Sequence, residues 1–521
     1  MSTILAGGMI RWPADNYPDK TAVKFEGLEM TFRHVNERIN RLANGLIDLG
    51  LKRGDRVAAL LYNSPRAIET RFALMKAGLC MVPINIRQTE DENAYIINHS
   101  ESDVVILDHE YLPKWEQMKG RCTAVRTVIV AGQSHASGLS YEEVIRSASP
   151  REPEVMVSLD DLERIAYTSG TTGRPKGVMK TIGNDLARLR NDFLNQDYLT
   201  SSQDIMLNVA PLTHAARELF RKHYIKGACN LIFRRFDEEE ILETIQRERV
   251  TAAMFVPTMI VRLVLHPRVR DYDLSSLRRI YYGTAPIAAE KLRLACDLFG
   301  NILRQSYGLS EATQPVFLLF PEDLAIPDAE KRARRLTSAG KPALGIEVRI
   351  VNERGEEVAQ GEAGEILIRG ENVMKGYWRD PEATREVLKD GWFFTGDVAK
   401  RDEDGFVYIV DRKKEMIICG GFNIYPREVE QAIESHPGVA EAAVIGVPDD
   451  TWGEAVKALV VLKPNSNATS EEIIELCKAK IASYKKPHFV EFVESLPKNF
   501  QGKVMRRALR DQYWQNRERK I

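Results

Sequence analysis

The stretch YTSGTTGRPKGV, residues 167–178, includes the end of a short apolar run that is typical of a β-strand. From Thr168 to Gly177 it has three glycines, four hydroxyl side chains and two cations within ten residues. Glycines allow successive backbone N–H groups to point toward one spot, and such a nest binds anions. Lys176 adds a positive charge suited to phosphate. The order of these residues predicts a phosphate-binding loop rather than a plain polar surface loop.

This loop differs from the P-loop of nucleotide hydrolases, G-x-x-x-x-G-K-[ST]. No Ser or Thr follows Lys176, and no helical pattern begins directly behind it. A P-loop ATPase is therefore disfavoured.

Strand and helix signals alternate on both sides of the loop. Thr21–Phe25 and Asp55–Leu61 have strand character, and the apolar residues from Val35 to Leu49 recur every three or four positions, as in an amphipathic helix. The same alternation returns after residue 200, with a strand predicted at Asp204–Val209 and a helix at Asp237–Arg249. Strands separated by helices indicate parallel sheets built from βαβ units.

Two later regions have a different pattern of predicted secondary structure. Residues Lys341–Arg369 form short β-like runs broken by glycines, which predicts a small antiparallel or barrel-like unit. The segment after Asp411 alternates short helices and strands. We therefore predict an α/β and α+β protein with two domains: a large N-terminal domain, 1–411, of parallel sheets plus the small β-barrel-like unit, and a small α+β C-terminal domain, 412–521.

Composition limits the class of protein. The 521 residues carry 73 Lys+Arg against 74 Asp+Glu, so the net charge of −1 gives no support for nucleic-acid binding. No run of about 18 apolar residues is present, which argues against an integral membrane protein. The six cysteines are far apart and form no C-x-x-C pair, so a disulfide framework is not expected. We expect a soluble cytoplasmic protein, for which a homodimer is an open alternative.

Three further motifs follow the loop in order: YGLSE at 307–311, TGD at 395–397 and DRKK at 411–414. Together with the loop they resemble one family, the adenylate-forming enzymes. This family includes acyl-CoA synthetases, aryl-CoA ligases, peptide-synthetase adenylation domains and beetle luciferases, and T-S-G-T-T-G-x-P-K-G is its phosphate loop. The resemblance extends from Tyr167 to Lys503. GGFNIYPREVE at 420–430 is most similar to acyl- or aryl-CoA ligases.

The resemblance implies an ATP site made from several motifs. The residues that it assigns to ATP are Thr168, Ser169, Gly170, Thr171, Thr172, Gly173, Lys176, Thr284, Ala285, Pro286, Ser306, Tyr307, Gly308, Ser310, Asp397 and Arg412. Asp397 and Arg412 would hold the ribose. The Asp397 carboxylate suits this role because it can accept two hydrogen bonds at once. Ser310 stands where the family usually has Thr.

Three residues are expected to carry catalysis. Glu311 would bind Mg²⁺, which prefers oxygen ligands and few protein contacts. Thr171 would donate to the phosphates. Lys503, in the segment 497–503 that resembles the family's P-K-x-x-x-G-K, would bridge the substrate carboxylate and the α-phosphate.

The remaining assignments concern the acid, the acceptor and the hinge. The acid pocket is expected at His214, Arg217, Val256, Gly283 and Gly308. Coenzyme A (CoA) is expected to bind at Gly420, Gly421 and Phe422. The hinge of the mobile C-terminal domain is expected at Lys414. Acetate-specific members carry Trp at the position of Gly308, so glycine predicts an acid larger than acetate. For the pair Arg217-Glu218 two interpretations stay open: a solvent-facing charged pair, or an arginine that meets a polar or second anionic group on the acid.

The resemblance thus predicts an acid–thiol ligase that uses ATP, Mg²⁺ and CoA. A carboxylic acid, aryl or medium-chain, would react with ATP to give acyl-AMP and pyrophosphate, and CoA would then displace AMP. A carrier-protein thiol as acceptor and a non-catalytic nucleotide-binding relative are the alternatives. The second alternative would be expected to lack Glu311, Asp397 or Lys503, and all three are present.

Overall fold

The structure is a computed structural model that describes residues 3–5, 7–133, 138–168, 174–195, 200–213, 216–283, 285, 287, 289–420, 422–498 and 504–514. The chain forms two compact units. Unit 1 comprises Met1–Leu336, Pro342–Ile346 and Arg369–Gly391, and unit 2 comprises Thr337–Lys341, Glu347–Ile368 and Trp392–Ile521. The small β-region predicted within the N-terminal domain thus lies mostly in unit 2. The functional division at residue 411 stays a prediction.

Unit 1 is built on two large sheets. In the described part of the chain, eight strands form sheet A, in the spatial order Gly376–Tyr377, Lys176–Thr181, Leu162–Thr168, Cys80–Pro83, Arg56–Leu60, Val104–Asp108, Thr127–Ala131 and Leu139–Ser140. From Leu162–Thr168 to Leu139–Ser140 neighbouring strands are parallel, and Lys176–Thr181 pairs antiparallel with both of its neighbours.

In the described part of the chain, sheet B has nine strands, in the order Lys341–Pro342, Phe317–Leu319, Leu303–Tyr307, Arg279–Gly283, Ala252–Met254, Ile205–Asn208, Cys229–Ile232, Thr21–Phe25 and Leu28–Thr31. From Leu303–Tyr307 to Thr21–Phe25 neighbouring strands are parallel, and each of these two strands pairs antiparallel with its outer neighbour. A short antiparallel pair, Thr3–Leu5 with Met156–Ser158, lies apart from both sheets. These parallel sheets confirm the predicted α/β class.

Helices cover the sheets of unit 1. They are Gly8–Asn16, Phe32–Asp48, Pro65–Lys76, Glu90–His99, Leu112–Met118, Tyr141–Ser147, Ile182–Asn195, Ala216–Ile225, Glu238–Glu248, Pro257–Leu265, Ala289–Phe299, Pro321–Leu324, Ala329–Arg335 and Pro381–Val387. The helix Phe32–Asp48 begins where the Thr31 hydroxyl accepts from the N–H of His34. Its apolar face is buried as predicted, except that Leu49 lies past the end of the helix and is exposed.

Unit 2 has two sheets of its own. Gly364–Arg369 and Val407–Arg412 both pair antiparallel with Trp392–Arg401, and Glu347–Val351 extends this sheet. The second sheet has the order Phe422–Ile424, Ile417–Cys419, Gly453–Leu462 and Val439–Asp449, with Phe489–Phe492 parallel to Gly453–Leu462. The helices are Pro426–Glu434, Ser470–Lys480 and Arg506–Asp511. The predicted α+β segment is therefore confirmed.

No helix among the described residues is both long and apolar enough to cross a membrane.

Candidate active site

The predicted phosphate loop connects two paired strands. Thr168 ends the strand Leu162–Thr168, Lys176 begins Lys176–Thr181, and the two residues are directly opposite each other in the antiparallel register. The loop itself lies outside the described residues. Other predicted site residues also lie outside the described residues. The complete set is Ser169, Gly170, Thr171, Thr172, Gly173, His214, Thr284, Pro286, Gly421 and Lys503.

Glu311 and Lys176, both predicted site residues, meet around one aromatic ring. The hydroxyl of Tyr377 donates to Glu311 Oε1 at 3.1 Å, and Lys176 Nζ lies 5.1 Å from the centre of the Tyr377 ring. Among the residues that the structure describes, Oε2 of Glu311 has no hydrogen-bond partner, so it can take another ligand. A single carboxylate suits Mg²⁺, which keeps several waters and is commonly bound together with substrate phosphates. The site therefore fits the metal that the sequence predicted.

Lys180 is a functional candidate that the sequence analysis missed. It is 2 % exposed, and its Nζ donates to the main-chain oxygens of Glu311 and Asn372, each at 3.1 Å. Burial, and next the nearby guanidinium of Arg164, lower the pKa of Lys180 to about 7. No local pattern marks this lysine, because its partners are 131 and 192 residues away in the chain.

Three predicted residues lie at the carboxyl ends of neighbouring parallel strands of sheet B. Gly283 is opposite Ser306 in the register, and Val256 follows the next strand, Ala252–Met254. In open α/β sheets ligands bind outside the carboxyl ends of strands. The structure thus brings together an edge suited to the nucleotide and the acid, and Ala285 follows Gly283 at this edge.

The glycines at this edge are required by close backbone approach. A Cβ on Gly283 would lie 2.3 Å from the Ser306 oxygen, and a Cβ on Gly308 would lie 2.7 Å from the Gln314 nitrogen. The space beside Gly308 is therefore occupied by Gln314 rather than open. Gly308 therefore does not support the prediction of an acid larger than acetate, and that prediction depends on other evidence. Near by, the Tyr307 ring packs against Phe317, and Ser310 is exposed.

Arg217 and Glu218 are buried, so the solvent-facing interpretation of this pair is wrong. Arg217 Nε donates to Glu218 Oε1 at 2.9 Å, and its Nη1 donates to the Thr213 oxygen at 2.5 Å. Burial, and next the charge of Arg164, lower the pKa of Arg217 to about 9. Four further arginines lie within 3.5 Å of the same carboxylate: Arg71, Arg164, Arg188 and Arg221. A contact between Arg217 and the acid stays a prediction.

In unit 2 the two predicted ribose ligands form an ion pair. Arg412 Nε lies 3.0 Å from Asp397 Oδ1, and the two residues are opposite each other on paired strands. The Thr395 hydroxyl accepts from the N–H of Asp397 and donates to the Ile366 oxygen, which fixes the turn before the carboxylate. The side chain of Arg412 is 41 % exposed, whereas that of Asp397 is 7 % exposed.

The predicted CoA residues lie on an exposed aromatic surface of unit 2. Phe422 is 55 % exposed and stacks on Tyr484 with the ring centres 4.7 Å apart. Gly420 has φ of 58°, and its N–H donates to the Trp452 oxygen. A Cβ on Gly420 would lie 2.7 Å from the Trp452 ring, so a residue with a side chain would collide with it.

The predicted hinge lies in the short helix Lys413–Glu415, which includes Lys414. Both ends of the segment that contains Lys503 are fixed within unit 2. Lys498 and Val504 form a β-bridge, and the N–H of Met505 donates to the Pro497 oxygen at 2.8 Å. Arg506 then pairs with Glu415 of this short helix and with Glu430.

Comparison with known proteins defines the family. Residues 10–378 match the family described as AMP-binding enzyme, and residues 428–503 match the AMP-binding enzyme C-terminal domain. The chain is 40 % identical over 512 residues to a feruloyl-CoA synthase from Amycolatopsis sp, covering 97 % of this chain and 99 % of the relative. It is 36 % identical to a 2-succinylbenzoate–CoA ligase from Bacillus licheniformis, covering 95 % and 98 %.

Solved structures agree with these relatives. The amide bond synthetase McbA from Marinactinospora thermotolerans has a TM-score of 0.87 at 30 % identity, covering 97 % of this chain and 99 % of that chain. ATP-bound MatB from Rhodopseudomonas palustris has a TM-score of 0.87 at 30 % identity, covering 98 % and 99 %.

The chain therefore belongs to the AMP-binding enzyme family. The resemblance to adenylate-forming enzymes is confirmed, and with it the predicted class of enzyme. The curated relatives are named as CoA ligases and a solved neighbour is bound to ATP, which confirms the predicted acid–thiol ligase; this family uses ATP, Mg²⁺ and CoA.

Proposed function

We propose that this protein joins an aromatic carboxylic acid larger than acetate to CoA in two steps. The acid and ATP form acyl-AMP and pyrophosphate, and the CoA thiol then attacks the acyl carbon and releases AMP. The observation that supports an aromatic substrate is the 40 % identity to a feruloyl-CoA synthase over 97 % of the chain. Fatty-acid ligases from Mycobacterium tuberculosis and Bacillus subtilis are 32 % and 34 % identical, so a medium-chain acid is the alternative.

The first step brings two anions together, so the site must supply positive charge where negative charge accumulates. Glu311, fixed by Tyr377, would hold the Mg²⁺ that neutralises the phosphates. Lys176 lies beside the same ring and would bind phosphate directly. Lys503 is proposed to bridge the acid and the α-phosphate, and Asp397 with Arg412 to bind the ribose.

The second step needs a surface for CoA. The exposed Phe422–Tyr484 stack supports this role, because a flat aromatic surface suits an adenine ring or the narrow pantetheine arm. Beside this surface, Gly420 leaves the space in which the Trp452 ring packs against the main chain. We also propose a cytoplasmic location, which the six unpaired cysteines support. The homodimer stays a prediction.

The test is a product analysis with purified protein, ATP, Mg²⁺ and a panel of acids: ferulate, benzoate, octanoate and acetate. We expect pyrophosphate release with ferulate above all, acyl-AMP without CoA, and thioester once CoA is added. Glu311→Gln, which keeps the size of the side chain, should reduce pyrophosphate release at least about a hundredfold.

Three results would change the proposal. Acyl-AMP that never gives a CoA-dependent product would favour the carrier-protein thiol. Preference for octanoate would favour the medium-chain acid. Absence of pyrophosphate with every acid would favour a non-catalytic nucleotide-binding role.

A further inference from the structure

Lys180 is a buried lysine directly behind the proposed Mg²⁺ ligand. It lies on the strand Lys176–Thr181, and the two acceptors of its Nζ are main-chain oxygens, those of Glu311 and Asn372. A buried amino group that loses its hydrogen bonds is costly, because water cannot replace them. The two hydrogen bonds therefore fix both carbonyl groups.

The two carbonyl groups belong to segments that are already paired. The N–H of Met374 donates to the Glu311 oxygen at 2.7 Å, and Ala312 forms a β-bridge with Val373. The Asn372 side chain donates to the Thr313 oxygen at 2.7 Å. Lys180 lies where these two segments meet and connects both of them to sheet A.

Glu311 is thus held at two points. Lys180 and Met374 fix its main chain, and the Tyr377 hydroxyl fixes one oxygen of its carboxylate. Its main chain and its side chain are therefore both restrained before a metal ion binds. A ligand that is held in place in advance loses less conformational freedom on binding.

We propose that Lys180 is a positioning residue for MgATP: it holds the main chain of Glu311 so that the carboxylate faces the metal ion. This inference rests on the proposed function, in which Glu311 is the Mg²⁺ ligand. Lys180 acts through Glu311 and is not assigned a contact with the substrate.

The test compares Lys180→Met with Lys76→Met. Lys76 is a matched control because it is also a fully buried lysine of unit 1, whose Nζ donates to Asn36 and Asn40 and pairs with Glu152. The readout is calorimetric binding of ATP with Mg²⁺ and of ATP with EDTA, which requires no knowledge of the acid. We expect Lys180→Met to weaken MgATP binding about tenfold or more while binding of metal-free ATP changes by less than about twofold. Lys76→Met should change neither.

A second variant tests the connection to Glu311. Tyr377→Phe removes the hydroxyl that holds the carboxylate, so it should weaken MgATP binding in the same direction. The double variant should lose less than the product of the two single losses, since both act on one ligand. If Lys180→Met does not fold, Lys180→Leu, which also removes the N–H donors, is measured in its place.

The inference is overturned if the Lys180 variant binds MgATP as Lys76→Met does, or if binding of ATP with EDTA falls equally. These outcomes are independent of the proposed reaction. Wild-type protein that binds MgATP but converts no acid would contradict the proposed function and leave the comparison of variants valid.

Discussion

Arg506 and Glu430 form a bidentate ion pair inside unit 2. Arg506 Nη2 lies 2.6 Å from Glu430 Oε2, its Nε donates to Oε1 at 3.0 Å, and the carboxylate is 2 % exposed. The same guanidinium pairs with Glu415 in the short helix Lys413–Glu415. One side chain therefore connects the segment after Lys503, this short helix and the helix Pro426–Glu434.

Loss of this pair should destabilise unit 2. Arg506→Met leaves Glu430 buried without its strongest partner, which is expected to lower the free energy of unfolding by about 3–5 kcal/mol. Urea unfolding of the full chain measures this change. Arg507→Met is the matched control, because Arg507 is 51 % exposed and pairs with Asp511 on the helix surface, so its effect should be below about 0.5 kcal/mol. Equal effects of the two variants would contradict the buried pair.

Asp411, at the predicted domain boundary, should make stability depend on pH. Burial raises the pKa of Asp411 to about 6, while its carboxylate accepts from the N–H groups of Arg412 and Arg427. The folded state therefore retains a proton that the unfolded state releases near pH 4, so stability falls as pH rises from about 4 to about 6. Relative to Asp411→Asn, wild type should lose up to about 3 kcal/mol over this interval. A constant difference between the two proteins in urea unfolding from pH 4 to 7 would contradict this.

Gly283→Ala should damage the nucleotide edge of sheet B. The added Cβ would lie 2.3 Å from the Ser306 oxygen, so the two parallel strands must separate, at a cost of about 1–3 kcal/mol. We expect a higher KM for ATP in pyrophosphate exchange and a lower Tm. Gly120→Ala is the control, since nothing lies within 4 Å of its Cβ position. If both variants have the KM for ATP and the Tm of wild type, the close approach of Gly283 to the Ser306 oxygen has no effect on the site.

Phe422→Ala should separate the two half-reactions. Removing the exposed ring that stacks on Tyr484 should raise the KM for CoA about tenfold and leave acyl-AMP formation unchanged. Phe489→Ala removes an equally exposed phenylalanine, 50 % exposed, from the same sheet and should leave the KM for CoA as in wild type. A fall in pyrophosphate release for Phe422→Ala alone would assign the ring to the first step instead.

The sequence was sufficient to predict the parallel layers of unit 1 and the strand that ends at Thr168, whereas the strand Lys176–Thr181 was not predicted. Hydrophobic periodicity and glycine placement are local properties, and they were enough for the predicted elements. The family resemblance assigned Asp397 and Arg412 to the same ribose, and the structure places Arg412 Nε 3.0 Å from Asp397 Oδ1.

Long-range contacts of single polar residues could not be predicted in this way. Lys180 and Tyr377 meet Glu311 from distant parts of the chain, and no periodicity marks them. Arg217-Glu218 suggested a solvent-facing pair because charged residues are rarely buried. The structure buries them because several arginines share one carboxylate, which a single sequence does not reveal.

The arginines around Glu218 also limit how this enzyme can be redesigned. They come from two helices, a strand of sheet A and the helix Ala216–Ile225 that carries Glu218 itself. A library that varies this helix would, at position 218, remove the carboxylate that all five guanidinium groups share and leave Glu163, Asp185 and Asp192 to balance their charge. Directed evolution of the acid pocket should therefore keep Glu218 fixed and diversify its neighbours only in combination.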